Sequence, residues 1–460
     1  MLRDLEHLAR AAGGVVQGDN VSFGPVMSDT RAIQQGALFV ALRGERFDGH
    51  DFVADAAGRG AVAALVSRHV HAPIPQVIVS DTLAGLSAFA KAWRRACAAK
   101  IVGVTGSNGK TTVKEMLGAI LSRVGPCLVT QGNLNNHIGV PLTLCRLEST
   151  HRFAVIEMGA NHQREIAGLA AIAEPDVGLV INAGPAHLEG FGGIEGVAKG
   201  KGEMFASLDT ADTAVINADD RFATFWHNLA RAAGNVVTFG MRERAEVSAS
   251  GLVAKPAAGG FVTGFDLHTP KGECRIALPL AGEHNVMNAL AATAAAMAAG
   301  ADLAAVQQGL QSMRPVSGRL ETKKALHGAR LIDDSYNANP GSVRAGLRAL
   351  ADGTGERWLI LGEMAELGEE SSRLHAEVGA YARECGFSRL YAIGGEARNA
   401  VEAFGPGASW FASAEEMVAA VKPGLKPGLT VLVKGSRVNR LERVTAALVE
   451  QVPAAAAGGH

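Results

Sequence analysis

The sequence has no excess of charge of either sign. Its 44 lysines and arginines nearly balance 45 aspartates and glutamates, which leaves a formal net charge of −1. Proteins that bind nucleic acid or anionic membrane surfaces through their overall field carry a clear positive excess. We therefore expect neither partner, although backbone N–H groups can still build a local anion site without any net charge.

Long apolar runs and paired cysteines are also missing. The most apolar run, residues 289–300, is alanine-rich and shorter than the roughly 20 residues that a bilayer requires. The first residues include Asp4 and Glu6 where a signal peptide would have an apolar region. The five cysteines form no CxxC pair, as is typical of reduced thiols. These features predict a cytoplasmic protein with no inserted membrane segment.

What the chain does contain are three segments with short apolar runs of strand length. A length of 460 residues allows two to four domains. Alternating apolar strands and helices predict an α/β protein, with a small mixed unit at 1–98 and parallel sheets in units 99–314 and 315–460. The predicted strands are 38–42, 63–66, 76–79, 101–104, 154–157, 177–182, 213–217, 329–332, 357–361, 389–393 and 430–433, with a β-rich excursion at 241–280 and a long alanine helix from Asn288.

Polar residues or glycines follow many of the predicted strands in the second and third units. They are Thr105, Glu157, Asn182, Asp333, Asp334, Gly362, Gly394 and Lys434. Ligands of open α/β sheets bind outside the carboxyl ends of the strands. Two such edges that face each other would form a binding cleft between the units.

The strongest local signal is a glycine-rich turn between a strand and a helix. It comprises Thr105, Gly106, Ser107, Asn108, Gly109, Lys110, Thr111 and Thr112. Such a loop directs backbone N–H groups at phosphates, while its lysine reaches the β- and γ-phosphates and its hydroxyl binds Mg²⁺. The match to GxxxxGK[ST] is imperfect, because Val104 occupies the position of the first glycine. The loop predicts binding of a nucleoside triphosphate and leaves the reaction open.

This variant of the loop resembles that of the Mur ligase and folylpolyglutamate synthetase superfamily. Further matches follow in order at 133–141, 157–160, 182–189, 198–205, 217–220 and 282–289. Segments 318–321, 333–340, 362–368 and 434–437 are similar to the members that add D-alanyl-D-alanine, and 28–31, 36–41 and 48–50 match their uridine-nucleotide domain. The resemblance spans nearly the whole chain.

The resemblance implies an ATP-dependent amide ligase with three domains. The first would bind the UDP-substrate, the central P-loop domain would bind ATP, and the Rossmann-like C-terminal domain would close over it. The substrates would be UDP-N-acetylmuramoyl-tripeptide and D-alanyl-D-alanine, joined through an acyl phosphate. Magnesium, as two ions, would be the metal cofactor.

Four residues carry the chemistry in this resemblance: Lys110, Glu157, His187 and Lys201. Metal ligands would be Thr111, Glu157, His187 and a carbamate formed from CO₂ on Lys201. Lys201 precedes Phe205 by four positions, and this register favours it over Lys199. Carbamylation needs a neutral amine, which burial or neighbouring cations would promote.

Other roles follow from the same resemblance. Asn285 and Asn288 share a helix face that suits an adenine edge, Arg319 would contact phosphate, and Asp334 would bind ribose. The residues assigned to the acyl substrate and the dipeptide are Ser28, Thr30, Arg31, Asp48, Gly49, His50, Asn135, Asn136, Tyr336, Asn337, Asn339, Lys434 and Ser436.

Several alternatives stay open at this stage. Glu157 and Asn285 can be helix caps, His187 a structural histidine, Lys201 a solvated lysine, and Arg319 half of an interface ion pair. The chain can also be a diamino-acid-adding Mur ligase, a folylpolyglutamate synthetase or a nucleotide-switched binding protein. A monomer is compatible with the sequence, and the third residue of the tripeptide is not readable from it.

Overall fold

Three β-sheets, one in each segment, organise the molecule. The computed structural model describes residues 3–257, 260–314, 318–351, 353 and 355–450. We refer to residues 3–98 as the first unit, 99–314 as the central unit and 318–450 as the third unit. The predicted start of the third segment at Pro315 and its terminal tail, 453–460, lie outside the described residues.

The first unit has a five-stranded mixed sheet in the order β1-β5-β4-β3-β2. Only β1 runs antiparallel to its neighbour. Asp81 begins the longest helix of the unit, α3, because its side chain accepts hydrogen bonds from the backbone N–H groups of Leu83 and Ala84. The elements are β1 Val15–Gln17, β2 Val26–Met27, β3 Ala37–Val40, β4 Ala61–Val66, β5 Gln76–Ile78, α1 Leu5–Ala12, α2 Val53–Gly58 and α3 Thr82–Ala96.

The central unit has a nine-stranded sheet in the order β14-β13-β12-β11-β10-β9-β6-β8-β7. Strands β6 to β12 are mutually parallel, and β13 and β14 extend the sheet as antiparallel strands. Its strands are β6 Lys100–Thr105, β7 Cys127–Val129, β8 Phe153–Glu157, β9 Val177–Val180, β10 Thr213–Asn217, β11 Asn235–Gly240, β12 Val247–Ala257, β13 Gly260–Thr269 and β14 Gly272–Leu278. Its helices are α4 Lys110–Leu121, α5 Gly139–Leu144, α6 Glu165–Ala173, α7 Leu188–Phe191, α8 Ile194–Ala206, α9 Ala223–Leu229, α10 Glu283–Ala299 and α11 Leu303–Gln311.

The third unit has a six-stranded sheet in the order β15-β16-β20-β17-β18-β19, in which only β15 is antiparallel. Apolar clusters cover both of its faces, as parallel sheets require. The elements are β15 Glu321–Lys324, β16 Arg330–Asp334, β17 Glu356–Gly362, β18 Arg389–Ile393, β19 Ala408–Phe411, β20 Leu429–Lys434, α12 Pro340–Ala351, α13 Ser371–Glu384, α14 Ala397–Phe404, α15 Ala414–Val421 and α16 Glu442–Leu448.

The first and central units share one apolar core. A single buried cluster runs from Leu5 through Trp93 to Trp226 and crosses the border between the units. Polar contacts reinforce this joint: the Trp93 indole donates to Leu147 O at 2.9 Å, and the Arg94 guanidinium donates to Ala173 O at 2.9 Å. The third unit has apolar clusters of its own. The first and central units are therefore joined by a continuous apolar core, and the third unit has separate cores.

The predicted α/β fold with three sheets is confirmed, with two corrections. The alanine helix α10 begins at Glu283, not at Asn288, with Gly282 as its N-cap residue. The central and third sheets are mixed and not purely parallel, since the β-rich excursion joins the central sheet through β12, and β15 pairs antiparallel with β16 in the third. Across the described part of the chain, no helix combines the length and the apolarity that crossing a bilayer demands.

Candidate active site

A cleft of about 910 Å³ separates the central and third units. Its lining includes Glu157 and Asn182 from the central sheet and Asp334 and Lys434 from the third sheet. These residues follow or end strands at the carboxyl edge of each sheet, so the predicted cleft between two facing edges is present. Thr105, Asp333, Gly362 and Gly394 do not line it.

The glycine-rich loop 105–112, here called the phosphate loop, forms one wall of the cleft. Its backbone is held by the segment after β9: Asn108 N donates to Asn182 Oδ1 at 2.9 Å, and the Ser107 hydroxyl donates to Gly184 O at 3.1 Å. Gly109 has a left-handed φ of 84°, and a Cβ there would lie 2.4 Å from Asn288 Oδ1. Glycine is therefore required at this position by both conformation and space.

Lys110 is the first residue of α4 and lies inside the phosphate loop. Its ammonium donates to Gly106 O at 2.7 Å, and burial lowers the pKa of this lysine. Val104, which replaces the first glycine of the usual pattern, is fully buried in β6. The substitution is tolerated because position 104 belongs to the strand and not to the turn.

Oxygen donors converge beside the loop. The Thr111 hydroxyl donates to Glu157 Oε2 at 3.2 Å, and Asn135 Nδ2 donates to Glu157 Oε1 at 2.8 Å. Glu157 is only 2% exposed at the end of β8 and caps no helix. Lys114, also buried, lies 3.9 Å from Glu157 Oε2. The carboxylate is thus fixed with its oxygens beside the site where phosphates would lie.

These donors fit magnesium bound together with a nucleotide. In the described residues, no group of three or more histidine, cysteine or acidic side chains forms a complete metal site. Magnesium is usually held by one or two carboxylates plus substrate phosphates and water, so Thr111 and Glu157 suffice as protein ligands for one ion.

Arg319 of the third unit reaches across to the phosphate loop. Its Nη2 donates to Thr111 Oγ1 at 3.0 Å, and its guanidinium lies 4.4 Å from the centre of the Tyr336 ring. Among the described residues, Arg319 Nε is buried without a hydrogen-bond partner. A half-buried guanidinium with a spare donor, held over the phosphate loop, is suited to an anionic ligand.

Lys201 is buried in α8, whereas Lys199 in the same helix is exposed. The Lys201 amine donates to Ala160 O at 3.0 Å and lies 5.0 Å from the centre of the Phe191 ring. Burial, and next the positive charge of Lys110, lower the pKa of Lys201 well below its ordinary value. The structure therefore favours a neutral amine at position 201.

His187 lines the cleft at the start of α7. Its Nδ1 is in direct contact with the carboxylate of Glu366 in the third unit, and its φ of 55° is left-handed. The sequence analysis included Glu366 only as part of the matching segment 362–368 and gave it no role, because only the tertiary structure brings it to His187.

Asn285 and Asn288 lie near the start of α10 and line the cleft as predicted. Asn285 Nδ2 donates to Ala281 O at 2.8 Å, and Asn288 Nδ2 donates to Asn285 Oδ1 at 3.2 Å. Gly282, not Asn285, is the N-cap of α10. The preceding residue of the motif, His284, also lines the cleft, and burial lowers its pKa to about 4, with a contribution from Lys434.

The predicted residues of the third unit divide into two groups. Tyr336, Asn337, Asn339 and Lys434 line the cleft, together with Asn135 and Asn136 of the central unit. Ser436 does not line it: its hydroxyl donates to Ala338 O at 3.1 Å and accepts from Ala365 N at 2.9 Å. Because this buried hydroxyl already donates one hydrogen bond and accepts another, it stabilises the loop around it.

Two hydrogen bonds made by third-unit residues are short, one within the unit and one across the cleft. Lys434 Nζ donates to Asp334 Oδ2 at 2.6 Å, and burial raises the pKa of Asp334 against the effect of this lysine. Asn339 Nδ2 donates to Asn108 Oδ1 at 2.7 Å, which ties α12 to the phosphate loop. Sequence reasoning placed these residues near one site but had no signal for the pairing.

In the described part of the chain, no first-unit residue lines the cleft. Arg31 is exposed and paired with Asp29 at 2.7 Å; Ser28 and Thr30 flank that aspartate. The His50 ring is buried, with Nδ1 2.5 Å from Asp48 Oδ1 and Nε2 accepting from Ser67 N at 2.8 Å. A Cβ at Gly49 would lie 2.7 Å from Leu42 N. His50 and Gly49 thus shape a loop, while Arg31 is open to a ligand.

Comparisons with known proteins agree with this geometry. The chain matches models for the Mur ligase family, catalytic domain, at 25–95, the Mur ligase middle domain at 104–296, and the Mur ligase, glutamate ligase domain, at 318–437. It is 42% identical over 448 residues, covering 97% of this chain and 98% of the relative, to the UDP-N-acetylmuramoyl-tripeptide--D-alanyl-D-alanine ligase of Escherichia coli (strain K12).

Solved structures give the same result. A crystal structure of MurF from Acinetobacter baumannii matches with a TM-score of 0.90 and 36% identity, covering 98% of this chain and 100% of that one. MurF ligase from Thermotoga maritima in complex with ADP matches with a TM-score of 0.79 and 27% identity, covering 92% and 96%. By its sequence, its fold and the residues gathered in its cleft, the chain belongs to the Mur ligase family.

Proposed function

We propose that this chain is an ATP-dependent ligase that joins D-alanyl-D-alanine to UDP-N-acetylmuramoyl-tripeptide. The products are the UDP-linked pentapeptide precursor of peptidoglycan, ADP and phosphate. One observation carries the proposal: the phosphate loop of the central unit and Arg319 of the third unit meet at Thr111 in one cleft. The near full-length similarity to ligases of this name gives the substrates.

The reaction needs an activated carboxylate, because oxide is a poor leaving group. A carboxylate oxygen of the tripeptide attacks the γ-phosphorus of ATP, the bond to the β–γ bridging oxygen breaks, and ADP leaves. The amine of D-alanyl-D-alanine then attacks the acyl carbon of the acyl phosphate and expels phosphate. Lys110 and Arg319 offset the repulsion between the anionic reactants, and closure of the third unit excludes water from the acyl phosphate.

Magnesium would neutralise phosphate charge and polarise the transferred group. Thr111 and Glu157 are the proposed protein ligands of one ion, and His187 with a carbamate on Lys201 those of a second. The burial of Lys201 and the lowered pKa of its amine support the carbamate, since only a neutral amine adds CO₂. The exposed Lys199 lacks this environment.

The other predicted site residues are assigned binding roles according to their positions in the structure. Asn285 and Asn288 would bind adenine, Asp334 ribose, and Lys434 the dipeptide carboxylate, whereas Ser436 would act indirectly through its loop. Asn135, Asn136, Tyr336, Asn337 and Asn339 would contact the peptide substrates. Ser28, Thr30, Arg31 and Asp48 would hold the uridine nucleotide, in a loop that Gly49 and His50 shape. We propose domain borders at 98 and 314, where the sheets change.

We further propose that the protein acts as a monomer in the cytoplasm. The five cysteines are unpaired, as in a reducing compartment, and ATP and nucleotide-linked precursors are available there.

The test is an amine panel scored by phosphate release. Purified protein with ATP, magnesium and UDP-muramoyl-tripeptide should release phosphate when D-alanyl-D-alanine is added, and should not respond to diamino acids or glutamate. An ATPase indifferent to every amine would refute the proposal, and so would preference for a diamino acid with the dipeptide-length precursor.

A further inference from the structure

Two loops from different units meet beside the cleft. His187 Nδ1 of the central unit is in direct contact with the carboxylate oxygen Glu366 Oε2 of the third unit. The next residue, Leu188, packs against the apolar cluster of the third unit, and a Cβ at Gly368 would lie 3.7 Å from the Glu189 Cβ. The contact between His187 and Glu366 therefore exists only while the third unit is docked.

Both residues of this contact have a left-handed backbone. The φ angles are 55° at His187 and 63° at Glu366, and neither residue is a glycine. Such conformations are disfavoured for residues with a side chain and persist where the surroundings impose them, which is often at functional sites. The two strained positions aim their side chains at each other across the joint.

The chemistry of imidazole gives this contact a consequence. A neutral histidine has one N–H and one lone pair, and a partner on one nitrogen decides which nitrogen keeps the proton. A carboxylate at Nδ1 holds the proton there, so Nε2 presents its lone pair. Metal-binding histidines commonly have such a carboxylate partner, which fixes both the tautomer and the ring orientation.

We propose that Glu366 is a positioning residue that prepares His187 to bind a metal ion when the third unit closes. Glu366 would act through the His187 ring, which its carboxylate contacts. The inference rests on the proposed metal role of His187. It makes assembly of the second metal site dependent on docking of the third unit, so that the site is complete only when the cleft is shut.

The test measures metal binding and does not depend on turnover. Mn²⁺ is titrated into the full-length protein bound to a non-hydrolysable ATP analogue, and electron paramagnetic resonance counts the bound ions. The His187→Ala variant identifies the site that involves this ring. In Glu366→Gln, we expect the Mn²⁺ Kd of that site to rise by about 10–100-fold, and the pulsed-resonance coupling to an imidazole nitrogen to weaken.

Glu369→Gln is the matched control, because Glu369 is an exposed acid three residues along the same loop. It should bind Mn²⁺ like the wild type. If His187→Ala loses an ion while Glu366→Gln binds Mn²⁺ normally with its nitrogen coupling intact, the role of Glu366 is refuted and the proposed function stands. If His187→Ala also binds Mn²⁺ normally, the metal role of His187 itself is wrong, and the inference about Glu366 is refuted as well.

Discussion

At the scale of single residues, burial separates lysines that look alike in the sequence. Lys199 and Lys201 are two positions apart, yet one is exposed and the other is 1% exposed. Motif register alone pointed to Lys201, and its burial supports the same choice. The phosphate loop was predictable because its signal is local, whereas the His187–Glu366 pair joins distant parts of the chain and had no sequence signal.

Lys201→Ala should reduce turnover by about 100-fold, because it removes the nitrogen on which the proposed carbamate forms. Short carboxylates such as acetate should partly restore activity by occupying the space of the carbamate. The measurement is phosphate release with and without added acetate.

Lys199→Ala is the control, and it should keep wild-type turnover because its side chain is exposed. ¹³C-labelled bicarbonate should give a protein carbamate resonance in the wild type that Lys201→Ala lacks. An active crystal form with two metal ions and an unmodified Lys201 would contradict the carbamate.

Lys110→Ala should lower turnover by at least about 100-fold, since a fixed charge facing the transferred phosphate is lost from a site with little water. Binding of the UDP-substrate, measured by calorimetry, should survive because its proposed anchor is the first unit. Lys100→Ala, at the exposed beginning of strand β6, should leave both turnover and UDP-substrate binding unchanged. Near-normal turnover in Lys110→Ala would disprove the role of the phosphate loop.

At the scale of helices and strands, apolar runs located most central strands of each sheet. They missed several edge or short strands and also β11, a six-residue strand inside the central sheet. Strand β15 reads Glu-Thr-Lys-Lys and lies at an edge, so it has no apolar run to detect. The start of helix α10 was predicted too late in the sequence. Polar residues of its first turn face the cleft and conceal the helical pattern. Patterns of hydrophobicity thus fail where elements serve the site or the sheet edge.

Helix α11 supports the phosphate-loop helix α4 through a glycine. A Cβ at Gly309 would lie 2.6 Å from the Ile120 Cα, which is backbone and cannot move aside easily. Gly309→Ala should therefore destabilise the protein by about 1–3 kcal/mol through overpacking. Thermal denaturation followed by circular dichroism measures the change.

The matched substitution is Gly168→Ala in helix α6, where an added Cβ meets nothing within 4 Å. It should be neutral or stabilising by up to about 1 kcal/mol, because alanine favours helix. Equal effects of the two substitutions would show that the contact between α11 and α4 is looser than described.

At the scale of the whole molecule, the third unit is attached mainly by polar contacts, with Leu188 packed against its apolar cluster, and the first unit by a shared core. Arg319 to Thr111 and Asn339 to Asn108 are hydrogen bonds across the cleft, whereas the first and central units share one apolar cluster. Polar interfaces of this kind open more readily than continuous cores. The sequence predicted three units but had no signal for this difference in attachment.

His284 makes the folded protein less stable in acid. Burial and the nearby Lys434 lower its pKa from 6.5 to about 4. The folded protein therefore binds fewer protons here than the unfolded chain between pH 6.5 and 4, and stability falls as pH falls through that range. The loss should be about 2–3 kcal/mol from this group.

The melting temperature measured across pH 4–7 tests this prediction. His284→Gln should lose less stability on acidification than the wild type, because its side chain does not titrate. His227→Gln, at an exposed position on α9, should follow the wild-type curve. Parallel curves for all three proteins would contradict a buried neutral His284.

The apolar joint between the first and central units has a consequence for substrate choice. Because one continuous core fixes these two units to each other, the span from a nucleotide held by the first unit to the phosphate loop stays constant. A peptide tethered at one end would bring its carboxyl group to the γ-phosphate only if its length matches that span. The fixed distance between the two units would thus select peptide length. Precursors one residue too short or too long would be excluded even when their terminal residues are chemically suitable.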